Sequence, residues 1–166
     1  MRLAIALLMG FAGQSAGADK EREKMLKAPL DAMENAIRTS DETLFKAQWH
    51  VEGYAKNLVG SAGLSGEDVF KQGSPKKWFL KPDLTQAQVL GDGAAVIVPC
   101  AVWAWEKDKS VDKVRIVLVK TEVKIVDKTK TVYLVLGGGE KPAPVEALAN
   151  RFLRKEALEP PKEVEK

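Results

Sequence analysis

The chain has 166 residues, 45% hydrophobic and 30% charged, with a formal net charge of +3. That length and balance describe one globular domain with a modest core, and they exclude a wholly disordered chain. The charge is too even for nucleic-acid binding, which needs a concentrated basic face, so no nucleic-acid partner is expected.

The first residues, MRLAIALLMGFAGQSAGA, place Arg2 before an apolar run and end in Ala16-Gly17-Ala18. This is the pattern of a secretory signal peptide over 1–18, cleaved after Ala18, and the run is too short to span a bilayer. The mature chain is expected to be secreted or periplasmic, with no membrane span after cleavage and a net charge near +2 once Arg2 is lost. Residues 19–28, DKEREKMLKA, are expected as a charged, flexible N-terminus, mobile or loosely helical.

Pro29 suits a first helical position, and Leu30, Met33 and Ile37 then recur at helical spacing. Ser40 and Asp41 interrupt the pattern and cap a second helix, DETLFKAQWH, whose Leu44, Phe45 and Trp49 share a face. Gly60, Gly63 and Gly66 lack the strand-loop-helix context of a phosphate loop and read as turn residues. Ser65 and Asp68 form a capping box for a short helix from about residue 66 to 72, ended by Gly73. SPKKWFLKP reads as a loop whose Trp78 and Phe79 anchor into the core.

The period then changes to two. LTQAQVL, AAVIVPCAVWAWE, VDKVRIVLVKTEVKIV and TVYLVLGG are four strands joined by short turns, the first at Asp92-Gly93 and the last at DKTK. The second strand is apolar on both faces and therefore central, with a bulge or bend expected at Pro99. Its Cys100 is the only cysteine, which rules out an internal disulfide and reads as a small buried hydrophobe. VEALANRFLRKEAL repeats Val145, Leu148 and Phe152 as an amphipathic helix within 141–158, and 159–166 is expected to be a disordered tail. Helices before an antiparallel sheet define an α+β fold over 29–140.

The segments AMENAIRTSDETLFKAQW, LSGEDVFKQ and AQVLGDGAAVIV resemble the NTF2-like (cystatin-like, SnoaL-like) superfamily. The resemblance implies N-terminal helices packed on a curved antiparallel sheet, a cone with a pocket between them. The C-terminal helix goes beyond that pattern. Members of the superfamily include enzymes, small-molecule binders and domains that dimerise through the sheet, so the fold alone assigns no activity.

The candidate site residues follow. His50 is the only histidine; at a helix end it is explained by attraction to the negative helix terminus, and at the mouth of a cone it is a general acid-base, with Glu52 or Tyr54 orienting it. Trp49, Phe70, Trp103 and Trp105 are the aromatic residues for the wall of an apolar ligand site, with core packing as the plainer role for each. One histidine and no clustered acids give no metal site, and no cofactor is expected. The leading expectation is a non-catalytic domain that binds a small apolar ligand or a protein partner. An isomerase, dehydratase or hydrolase using His50 and a homodimer joined by sheet faces are the alternatives.

Overall fold

The computed structural model describes residues 16–60, 65–104 and 109–160. Helix α1 spans Ala16–Thr39, and its Leu26, Leu30, Met33 and Ile37 form one buried stripe. The helix begins well before Pro29, which lies inside it. The stretch 19–28, expected to be mobile or loosely helical, is helical because Leu26 carries the apolar stripe a turn further back. The Glu, Lys and Arg residues around it are good helix formers. Ser40, at φ 58°, breaks the helix.

Asp41 caps helix α2, Glu42–Lys46, by accepting from the Leu44 N–H. The second expected helix, however, is two short ones. Residues 47–48 form a turn and Trp49 and His50 run extended before α3, Val51–Ala55, so Glu52 and Tyr54 are helical. Helix α4, Gly66–Lys76, has the complete Ser65–Asp68 capping box and runs past Gly73 to Lys77, whose φ of 51° closes it. The hydrogen bonds from Ser65 hold the Asp68 carboxyl below its usual range.

The segment read as a loop anchor is strand β1, Trp78–Pro82. It is followed by β2, Gln88–Leu90, β3, Ala95–Ala104, β4, Lys109–Ile125, and β5, Lys128–Gly139. All pairs are antiparallel. Strand β3 is central: β1 and β2 share one of its edges, opposite Cys100–Ala104 and Ala95–Ile97, and β4 then β5 follow on the other. Pro99 pairs in register with Arg115, and the irregularity falls between Val102 and Trp103 instead. A proline ring is accommodated there because its edge partner has moved off: the Pro99 carbonyl accepts from Asp83 N–H at 2.8 Å, in the break between β1 and β2. Helix α5, Pro142–Leu153, forms as expected, and Leu158 beyond it is buried as well. Of the expected tail, 161–166 lies outside the described residues.

The result is an α+β protein in which N-terminal helices pack on one face of a curled antiparallel sheet and a C-terminal helix packs on the other. The alternation of β3 separates two cores. Val96, Val98 and Cys100 join Leu30, Phe45 and Trp49 on the concave side. Ala95 and Ile97 join Val145 and Leu148 of α5 on the convex side. No described helix is long and apolar enough to cross a membrane.

Strands β4 and β5 meet in a two-residue turn, Val126-Asp127, rather than at the following lysines. Val126 has φ 56° and is 90% exposed, so a β-branched residue holds a left-handed backbone with no packing in return. Val126→Asn is expected to raise stability by about 1 kcal/mol in urea unfolding; an unchanged or lower midpoint would show that the turn is relaxed.

Candidate functional site

The site arises where the sheet curls away from α1. A cavity of about 220 Å³ lies between Met33 and Ile37 of α1, Phe45 of α2, Trp49 and the concave faces of β1, β3, β4 and β5. Leu80, Val102, Val114, Ile116 and Val135 supply its sheet wall. One end is bounded by Gly137, Gly138 and Gly139, where β5 presents no side chains to fill the space. A register shift between Val117 and Leu118 precedes those glycines and bends the strand.

Among the described residues lining the cavity, only Glu34 and Glu140 are charged. Glu34 sits on α1 at the edge of the apolar stripe, half-buried. Its carboxyl is held above the usual carboxylate range, first by burial and then by Asp31, with Arg38 pulling the other way. No described residue makes an ion pair or hydrogen bond to it. The indole Nε1 of Trp49, 9% exposed, is also without a hydrogen-bond partner among the described residues.

A carboxyl whose folded pKa is raised destabilises the fold once it ionises; the penalty is absent below the unfolded pKa and complete above the folded one. Glu34→Gln is therefore expected to melt higher than wild type at pH 7, with the gap closing as pH falls through the carboxylate range. Asp31, Arg38 and Lys77 stay in place in both proteins. A gap independent of pH would assign the effect to packing.

Trp49 and His50 are adjacent, yet they serve opposite sides of the sheet. The 48–50 segment pairs with the outer edge of β5: His50 N–H donates to the Val135 carbonyl (2.8 Å) and Val135 N–H donates to the Gln48 carbonyl (2.9 Å). Consecutive residues of an extended chain point opposite ways. Trp49 enters the concave core, while the His50 ring meets Phe152 of α5 edge-on, 5.8 Å between centroids. His50 also occupies the N-cap position of α3, without a side-chain capping bond, rather than the end of α2, so attraction to a negative helix terminus does not account for it. It does not line the cavity.

Tyr54 is buried and donates its hydroxyl to Glu42 Oε1 at 2.8 Å. Burial first, and then that carboxylate, push the phenol well above its ordinary pKa. Glu52 is half-buried on α3, away from the cavity wall. His50, Glu52 and Tyr54 are thus not brought together around the cavity. Phe70 packs behind the wall against Phe45, 5.1 Å between centroids, and Val69 reaches the cavity in its place. Trp103 stacks on Phe79 at 6.1 Å and 15°, its cross-strand partner in β1. Trp105 lies outside the described residues.

Glu34, Ile37, Trp78 and the glycine run were missed as site residues. Glu34 is four residues from Leu30 and three from Ile37, so helical spacing puts an acid on the margin of a buried face. That signal was present in the sequence. The glycines signalled space only once the strand that carries them was placed.

Cys100 is buried on the concave face, and burial pushes its thiol up to about 12. The folded protein is expected to resist alkylation at pH 8, and the unfolded protein to react fully. Rapid labelling of the native chain would place the thiol at an open surface.

The fold and cavity define an α+β protein with an apolar hollow between its helices and its sheet. No family model, no curated protein and no solved structure matches the chain.

Proposed function

We propose that the chain is an exported binding protein that holds a small, largely apolar molecule in the cavity between α1, α2 and the sheet. The observation that carries this reading is the cavity itself, apolar-walled and bounded by aromatic rings. The resemblance to NTF2-like proteins supports it, since it implies a pocket in that place, and the signal-peptide pattern of residues 1–18 supports export. Trp49, on the cavity wall, has an indole N–H without a partner among the described residues, a donor that a ligand there can meet. Binding is favoured over acid-base catalysis by His50 because that imidazole packs on the far side of the sheet.

Trp49 and Trp78 line the cavity and report on its contents. Titration with decanol, a neutral probe, is expected to change tryptophan fluorescence saturably at one site per chain. A linear, non-saturating response would end this reading.

A second reading, homodimerisation through the sheet, draws on the Phe79–Trp103 stack. Trp103 alternates with Val102, which lines the cavity, so the stacked rings fall on the outer face, while Phe79 also borders the cavity. Trp103→Glu should then convert dimers to monomers in sedimentation; a wild-type protein that is monomeric at high concentration excludes it.

A further inference from the structure

We propose that the molecule held in the cavity is an amphipathic amine, its apolar body among the rings and the sheet wall and its ammonium against the carboxylates of Glu34 and Glu140. This rests on the reading of the cavity as a ligand site and names the chemistry that the site selects.

Among the described residues, both charged ones on the cavity wall, Glu34 and Glu140, are acids. Burying part of a carboxylate without a hydrogen-bonded counter-charge is unfavourable, and a cation brought to it restores what desolvation removed. Glu34 is in that position: half-buried, beside an apolar hollow, with no ion pair or hydrogen bond to its carboxyl among the described residues. Trp49 and Phe45 add ring faces, which attract cations and accept an apolar body equally well.

Cations do stand nearby: Arg115 donates to the Glu140 backbone carbonyl at 2.8 Å, and Glu140 is exposed, so Glu34 is the acid that carries the selection. Arg38 and Lys77 line an adjoining groove that also reaches Glu34, and an anionic ligand would turn to them. Each has a partner outside the cavity, and Arg38 also acts on the Glu34 carboxyl from the groove side, where it offsets only part of the cost of burial. Arg38 donates to Asn35 Oδ1 at 2.8 Å. Lys77 Nζ donates to Ser40 Oγ at 2.9 Å and to the Ile37 carbonyl at 3.4 Å, at the C-terminal end of α1. Among the described residues at the cavity, the Glu34 carboxyl has no hydrogen bond, Arg38 acting on it only through its charge, and the Trp49 N–H has no partner. An amine that carries a hydroxyl or ether oxygen in its body answers both.

Three probes with one alkyl chain separate the possibilities: decylamine, decanol and decanoate, titrated at pH 7 by tryptophan fluorescence below their aggregation thresholds. Decylamine is expected to bind about tenfold or more tighter than decanol, the scale of one charge-assisted hydrogen bond, with decanoate the weakest. Glu34→Gln should bring decylamine to the level of decanol and leave decanol unchanged. Decanoate binding as well as decylamine, or a Glu34→Gln protein that keeps the amine preference, would overturn the assignment. Decanol binding without any amine preference overturns this inference alone. No saturable binding by any probe overturns the binding function with it.

Discussion

Phe45→Ala is expected to lower the unfolding free energy by about 3–5 kcal/mol, the range for removing a fully buried aromatic side chain. Phe45 is 0% exposed and lies between Trp49, at 5.8 Å between centroids, and Phe70, at 5.1 Å. Its ring is also part of the cavity wall. The new void would open into an existing one, so neighbouring side chains have little reason to collapse and recover contacts. The cost is therefore expected near the top of that range. Urea unfolding measures it, and ligand affinity should fall in the same variant. A loss below about 1 kcal/mol would mean that the helices close over the gap, and that the cavity is softer than its walls suggest.

Gly53→Ala is expected to be as damaging, by the opposite mechanism. A Cβ at Gly53 would stand 2.0 Å from the Leu136 carbonyl oxygen and 2.8 Å from its carbon. Those are backbone atoms of β5 and cannot rotate away, so α3 must lift from the sheet. The two hydrogen bonds that fasten residues 48–50 to Val135 would go with it, and Trp49 would lose its placement in the cavity wall. A loss of about 3 kcal/mol or more is expected, at the upper end of overpacking effects. Amide exchange at His50 and Val135 should rise in parallel. Val51→Ala on the same helix, at a residue 73% exposed, serves as the control and should stay within about 0.5 kcal/mol of wild type. A stable Gly53→Ala protein with protected amides at those positions would show that α3 is not seated on β5 as described.

These two residues also show which parts of the fold were legible in the sequence. Phe45 was readable: it shares a helical face with Leu44 and Trp49, and periodicity alone puts it inside. The helices-then-sheet order, the Ser65–Asp68 cap and the C-terminal helix were readable for the same reason, since each is a local pattern with a fixed period or spacing. Gly53 was not readable. Its role comes from a backbone in β5, more than eighty positions later, and no local pattern records that approach. The break of the second helix had the same origin. Gln48, Trp49 and His50 leave the helix because β5 offers them two hydrogen bonds, a tertiary gain that overrides propensity. Strand β1 was hidden because its five residues, WFLKP, include Pro82 and follow two lysines, so its β character shows only when β3 is there to pair with it. For the site, Trp49 was placed on the right face of its segment, whereas His50 was drawn to the cavity by its chemistry alone. Its neighbour's side chain faces the hollow, and alternation sends the imidazole to Phe152.

The central claim is that the space between α1 and the concave sheet receives an apolar ligand. The most direct test is a crystal structure of the protein grown with a brominated long-chain alcohol, with the bromine located by anomalous scattering. The account predicts one bromine peak inside the cavity, between Trp49, Ile116 and Met33, and its loss in a Val114→Phe protein in which a larger side chain occupies that space. Bromine confined to the outer face at Trp103, or a cavity that stays empty at saturating ligand, would contradict it.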